Sequence, residues 1–372
     1  MLKTVSWIVI FATILLVWSG AVSADDLAGA PADSQPPPNI TSESILRLPE
    51  LPGLTSLVDF SFYGSQLICA ARATEGKGIA LFKIELPNGR EFLSFATLPD
   101  ALSIYSLAWS ADGGLLAVSA WEHRPSDVKP YQVCCYIYDA QSGEGLYRHV
   151  LLEARTPINK TGTETQLGWL NGDELLAKRS DTPQLFQINV QSGNVVPFID
   201  LSQTKVPPGS SWSRPCSFRN GVVEITGWRR ITKLQSRKTA TSDEVFNRGA
   251  SYEGWNVEIE MKGQLRQVTR LPELKAQGMM GLAKLLIARD VCFFSYLEPQ
   301  KSNGQSWVGQ LVRRRDARIL ARVPEPDPRI RYLGATISPS GTQITIFETD
   351  DLPGTKRDLR LLIVDAAKFI AE

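Results

Sequence analysis

Apolar residues recur along this chain in short runs of period two, punctuated by glycine-containing turns. Ile79-Ala80-Leu81-Phe82-Lys83-Ile84 and Gln184-Leu185-Phe186-Gln187-Ile188-Asn189-Val190 typify the runs. Their alternation and their β-branched and aromatic content predict half-buried strands. No long stretch beyond residue 24 has a helical period, and only Leu282 to Ile287 reads either way. Three kinds of punctuation repeat. One is a strand end resembling Leu48-Pro49-Glu50: Leu98-Pro99-Asp100, Leu152-Glu153, Phe198-Ile199-Asp200, Leu271-Pro272-Glu273 and Val323-Pro324-Glu325, at spacings of 50, 54, 46, 73 and 52 residues. A Pro there is expected to end the strand and to deny the sheet edge a donor. The second is a turn such as Asp112-Gly113, Asn171-Gly172, Asn220-Gly221 or Ser340-Gly341. The third is Asn88-Gly89, Ser142-Gly143, Ser192-Gly193 and Lys262-Gly263. Asn-Gly and Asp-Gly pairs join strands tightly because both residues tolerate positive φ.

Each unit of roughly 50 residues therefore holds four strands, the size of a propeller blade. Six strand ends predict an all-β, six-bladed β-propeller of four-stranded antiparallel blades. The last unit, from Tyr332 to Asp365, supplies only three strands. The missing strand is expected at the other end, in Ser44-Ile45-Leu46-Arg47-Leu48, so that an N-terminal strand completes the last blade and closes the ring. Closure would remove two open sheet edges.

Two segments sharpen this picture. Trp109-Ser110-Ala111-Asp112-Gly113-Gly114-Leu115-Leu116-Ala117 and Ile337-Ser338-Pro339-Ser340-Gly341-Thr342-Gln343-Ile344 resemble the WD40-like repeats of TolB-type propellers. That pattern is an apolar residue, Ser-Pro-Asp-Gly, and an apolar strand. Ala111 stands for its Pro and Ser340 for its Asp. The resemblance implies an exported six-bladed propeller that binds other proteins. It does not transfer an activity.

The N-terminus supports export. Lys3 precedes an apolar core from Val5 to Trp18, and Val22-Ser23-Ala24 offers small residues for cleavage. Residues 1–24 are expected to be a signal peptide, leaving no transmembrane span after cleavage. Residues 25–40 are small, polar and Pro-rich, an expected disordered tether. Residues 41–372 would form the propeller, periplasmic or extracellular. Residues 1–24 hold one Lys and no acid, so the rest of the chain carries 39 basic and 39 acidic residues. A balanced chain has no net field to steer it to nucleic acid, and no nucleic-acid partner is expected.

The five cysteines lack metal spacing and read mainly as buried hydrophobes. Cys134 and Cys135, adjacent in a strand, should face opposite ways. With two histidines, no G-x-S-x-G, no P-loop and no GxGxxG, the chain suggests no cofactor, no metal and no assigned catalytic residue.

Binding is then expected at the end carrying the longer b–c and d–a connections, read as Arg72–Gly78, Trp121–Pro130, Glu153–Thr165, Leu201–Ser211, Arg229–Gly254, Glu298–Ser306, Glu325–Arg331 and Thr349–Lys356. Trp121, Glu122, His123 and Arg124 form one candidate cluster. His123 is the single weak candidate for acid–base work. Arg229 to Gly254 forms the other, a basic insertion with Arg229, Arg230 and Lys233, flanked by Trp228 and Trp255. Basic groups between aromatics suit an acidic partner, a glycan or an anionic surface. His149 is expected at the surface, and Arg313-Arg314-Arg315, at a presumed c–d turn on the opposite face, is expected to be solvated. The function expected is a monomeric protein-binding or scaffold propeller. The alternative is a carbohydrate- or peptide-acting enzyme with its site at the central mouth.

Overall fold

In a computed structural model of the chain, the described residues are 45–47, 54–73, 78–85, 92–125, 127–156, 164–213, 215–218, 221–231, 251–275, 280–287, 291–299, 305–313, 316, 318–323, 330–337, 343–350 and 359–365. They belong to the unit running from Pro37 to Glu372. The expected signal peptide and tether lie outside the described residues.

The chain is all-β. After β1 (Ile45–Arg47), the first sheet holds β2 (Leu54–Tyr63), β3 (Gln66–Ala73), β4 (Ile79–Glu85) and β5 (Leu93–Leu98). The second holds β6 (Ala101–Trp109), β7 (Leu115–His123), β8 (Tyr131–Asp139) and β9 (Gly145–Ala154). The third holds β10 (Thr165–Trp169), β11 (Glu174–Arg179), β12 (Gln184–Asn189) and β13 (Val195–Asp200). The fourth holds β14 (Ser211–Trp212), β15 (Cys216–Phe218), β16 (Val222–Ile231), β17 (Ser251–Glu260) and β18 (Leu265–Lys275). The fifth holds β19 (Met280–Ile287), β20 (Val291–Pro299), β21 (Gln305–Arg313) and β22 (Ile319–Val323). The sixth holds β23 (Ile330–Ile337), β24 (Gln343–Asp350) and β25 (Leu359–Asp365). Every pairing among these strands is between antiparallel neighbours. The ambiguous segment around Leu282 is a strand.

The sixth sheet takes its fourth strand from the other end of the chain. β1 pairs β25 antiparallel, with Ile45 opposite Leu362, Leu46 opposite Leu361 and Arg47 opposite Arg360. First strands of successive sheets are neighbours: β2 with β6, β6 with β10, β10 with β15, and β19 with β23. β23 in turn neighbours β2.

Cores form between sheets, because alternation gives each strand two faces. Leu116, Val118 and Ala120 of β7 pack with Ile68, Leu81 and Leu98 of the first sheet. Ala117 of the same strand packs on the other side with Leu167, Trp169 and Ile188 of the third. Cys134 and Cys135 are buried thiols on successive positions of β8, and Cys135 packs with the third sheet; Cys69 is buried in the first sheet.

Two expectations need correcting. Pro272 does not end its strand. β18 runs on to Lys275, and a register shift between Tyr252 and Gly254 takes up the Pro. An outer strand tolerates it because one backbone edge needs no partner. The fourth sheet also has five strands, not four, because its first strand is broken into β14 and β15. Pro215 has no N–H to continue the ladder. Ser213 N instead donates to Thr226 O at 2.8 Å.

The turns that precede the outer strands lock neighbouring sheets. In Asp139-Ala140-Gln141-Ser142-Gly143, Asp139 Oδ1 accepts Ser142 N at 2.7 Å and Ser142 Oγ at 2.8 Å. Those bonds hold the Asp139 carboxyl below its ordinary range. Gly143 has φ +77° and faces the preceding outer strand, where an added Cβ would lie 2.2 Å from Phe95 O. Gly263, φ +79°, meets Phe198 O in the same way at 2.2 Å. Gly193 sits against His149, whose Nε2 donates to Val190 O at 2.6 Å. His149 thus occupies the position of Phe95 and Phe198, half-buried between sheets rather than at the surface. Gly143→Ala should cost at least about 2 kcal/mol, from both the disfavoured φ and the clash with backbone. Gly172→Ala, which meets nothing within 4 Å, should cost well under 1 kcal/mol. Urea unfolding of the two variants checks the contrast.

Candidate functional site

The strands extend into several expected loops, which changes what the candidate residues do. β7 continues through Trp121 and Glu122 to His123, so only Arg124 to Pro130 forms that connection. Trp121 is buried, its ring stacked on Tyr131 at 6.4 Å. The His123 ring lies nearly parallel to the same Tyr131 at 4.8 Å, and the His123 backbone N–H donates to Asp100 O at 3.0 Å. The expected loop Leu201–Ser211 is also partly built. It opens with a 3-10 turn, Leu201–Gln203, capped by Asp200, and buries Leu201 and Val206 against the fourth sheet.

Glu122 shares the strand parity of Leu116, Val118 and Ala120, so it points inward and is fully buried. Arg148 of β9 donates through Nη2 to Glu122 Oε2 at 2.8 Å, and Arg124 donates through Nε at 3.1 Å. Arg148 Nη2 also reaches Gln132 Oε1 at 2.7 Å and Cys134 Sγ at 3.0 Å. Arg124 continues to Asp100 Oδ2 at 3.1 Å, on the turn between the first and second sheets. Burial is the largest influence on Arg148 and opposes its cation, but the hydrogen bond to Glu122 and the electrostatic pull of Cys134, Glu122 and Asp100 together outweigh it and raise its pKa. Burial first, then the Glu122 charge, pushes the Cys134 thiol up; burial alone pushes Cys135 up to about 12. Both thiols stay protonated and unreactive at neutral pH. The first cluster is thus a row of side chains tying strands and sheets together.

The second cluster lies at the same end of the fourth sheet. β16 runs to Ile231 and β17 begins at Ser251, so Trp228 and Arg229 are strand residues. Trp228 is opposite Gly254, Arg229 opposite Glu253 and Arg230 opposite Tyr252. Lys233 lies outside the described residues. Glu253 is buried, at 8% side-chain exposure, between two guanidinia. Arg229 Nε donates to Glu253 Oε1, and Arg270 Nη2 of β18 donates to Oε2 at 3.1 Å. Buried Trp255 lies beneath the Arg229 guanidinium, 5.7 Å from centroid to Cζ. Trp228 turns to Tyr252 at 6.0 Å. The Arg229 and Arg270 side chains remain 45% and 70% exposed.

Sequence reading missed Arg148, Gln132 and Arg270, and took Glu253 for an acidic counter-charge within the basic insertion. It also expected Arg313 to be solvated. Its side chain is only 11% exposed, and it bonds Asp316 at 2.7 Å across its turn.

Lys178 is a further missed residue. It is buried at the end of β11, and its ammonium donates to the carbonyls of Arg179 and Thr182, the latter at 2.5 Å. Burial lowers its pKa to about 8 from 10.5. The folded chain thus releases this proton near pH 8, while the unfolded chain keeps it to about 10.5. Between those values the unfolded state binds more protons, so stability rises with pH; below pH 8 the cost of burying the cation is fully present. Relative to Lys178→Met, the parent chain should gain about 2 kcal/mol between pH 8 and pH 10.5, read from urea midpoints.

No protein-family model matches the chain, and no curated protein sequence matches it. Among solved structures, a protein of unknown function from Dyadobacter fermentans DSM 18053 is similar with a TM-score of 0.46 at 10% identity, over 88% of this chain and 99% of that one. The tricorn protease gives 0.46 at 14% identity, over 85% of this chain and 26% of that chain. A TolB-like protein from Agrobacterium tumefaciens gives 0.35 at 16% identity, over 58% and 65%. Likeness at this level carries no functional argument. Among the described residues, no helix is long and apolar enough to cross a membrane.

Proposed function

We propose that the chain is an exported six-bladed β-propeller, closed by β1, that binds a protein partner through the end carrying its b–c and d–a connections. Residues 1–24 would direct export to the periplasm or exterior. Residues 25–40 would tether a monomeric propeller spanning 41–372. The run of neighbouring first strands, returning from β23 to β2, supports a ring, as does the β1–β25 ladder.

One observation carries the binding role. At the same end of the second and fourth sheets, charged residues are fixed in rows across strands. In the fourth, the row leaves Arg229 and Arg270 open to solvent while Glu253 holds them in place. Rigid cations need little ordering when a partner docks. The segment between β16 and β17 adds Lys233, Arg237, Lys238 and Arg248. The test is affinity capture from extracts of the source cells, using the chain with residues 232–250 intact or replaced by a short Gly-Ser turn. Loss of a specific protein with the shortened, folded chain is the expected result. Equal recovery by both would overturn the assignment to this end.

A further inference from the structure

We infer that Arg229 and Arg270 seat an acidic side chain of an extended peptide that lies along the outer edge of β18. This rests on the protein-binding reading and names the chemistry of the partner.

The first premise is unspent hydrogen-bonding capacity. A guanidinium carries five N–H donors. Arg229 and Arg270 each give one to Glu253, and among the described residues no other acceptor reaches either head. One carboxylate between two guanidinia leaves the trio with a formal charge of +1. Its anion is buried and its cations face water. Glu253 therefore fixes the forks without neutralising them. Trp255 supports the Arg229 plane from below. A second carboxylate arriving from solvent would find charge-assisted donors already oriented.

The second premise decides between a peptide and a glycan. β18 is the outer strand of its sheet, and among the described residues no strand pairs with its outer side. From Leu265 to Leu271 that edge precedes Pro272 and is free of Pro. Arg270 lies on this stretch, one residue from its end. An incoming strand could bond the edge through its main chain while an acidic side chain reaches the Arg pair. A glycan has no main-chain ladder to offer.

The probe is a labelled ten-residue Thr-Val repeat peptide carrying Glu, Gln or Lys at its centre, followed by fluorescence anisotropy on the full chain. The Glu peptide should bind about tenfold tighter than the Gln peptide, and the Lys peptide should not bind. Arg270→Ala should remove the Glu preference, and Arg270→Lys should restore only part of it, since an ammonium lacks the fork. Amides of β18 should gain hydrogen-exchange protection with the Glu peptide. Equal binding of Glu and Gln peptides overturns the inference. So does an unchanged Glu preference in Arg270→Ala. A sulfated heparin hexasaccharide that binds in an Arg270-dependent way, where no peptide does, overturns it in favour of a glycan. Partner capture separates the two levels. If the chain shortened at 232–250 loses its partner while Arg270→Ala retains it, protein binding stands and the acidic-peptide seat falls. If both retain it, both fall.

Discussion

A chain that begins at Leu54 should lose at least about 3 kcal/mol of stability relative to one that begins at Asp25, or fail to accumulate as folded protein. Among the described residues, the lost segment contributes three paired residues, Ile45 to Arg47. Its importance comes from where they pair. Without β1, β25 becomes the edge of the sixth sheet, and its backbone groups from Arg360 to Leu362 lose their partners. Leu362 and Val364 belong to the core shared by the fifth and sixth sheets, so fraying at β25 opens that core. Each large apolar side chain re-exposed there costs about 2 kcal/mol. Thermal and urea unfolding of the two chains measures the effect, with hydrogen exchange of residues 359–365 locating it. Equal stability would show that β1 is dispensable.

Glu122→Ala should cost about 3 kcal/mol or more. The carboxylate is fully buried, and its two partners, Arg148 and Arg124, are 27% and 32% exposed. Removing the anion strands the Arg148 cation beside Cys134 and Gln132, where water cannot fully replace the lost partner. The loss also frees Arg124 from one of the two carboxylates that hold it against Asp100. Glu122→Gln keeps an acceptor but not the charge, so it should lie between parent and Ala. Truncating both Glu122 and Arg148 should cost less than the sum of the single changes, because the double variant buries no unpaired charge. A double-mutant cycle read from urea midpoints checks this. Strict additivity would mean that the pair does not couple the strands.

The architecture was legible because its punctuation is local. Glycine at Gly143, Gly193 and Gly263 serves positive φ, and strand alternation needs only neighbouring residues. Even the β1–β25 pairing could be read, since a unit lacking a strand and a strand lacking a unit imply each other. Pro272 misled because the cost of Pro depends on whether its strand is central or outer, which adjacent residues do not state. The loops were drawn too long for a related reason. Polar residues such as Glu122 and Arg229 look like loop residues until their cross-strand partners are known.

Those partners are far away in sequence. Arg148 meets Glu122 and Arg270 meets Glu253 across strands, and no spacing rule links them. One signal was available. Glu122 falls on the parity of Val118 and Ala120, and Glu253 on that of Trp255, Val257 and Ile259. A carboxylate in phase with an inward apolar face must find a cation there or pay heavily for burial. The same test would have separated Arg229, in phase with Val223 and Ile225, from the residues of the following segment.

Disulfide trapping between the chain termini tests the ring most directly. Residues directly opposite in an antiparallel pair lie about 4.5–5.5 Å apart at Cα, within reach of a disulfide. With Arg47→Cys and Arg360→Cys in one chain, the account predicts a rapid cross-link under mild oxidation and a higher unfolding midpoint in the linked form. A control pairing Arg47→Cys with Arg318→Cys should stay open. A folded chain whose 47–360 pair links no faster than the control would contradict closure by β1.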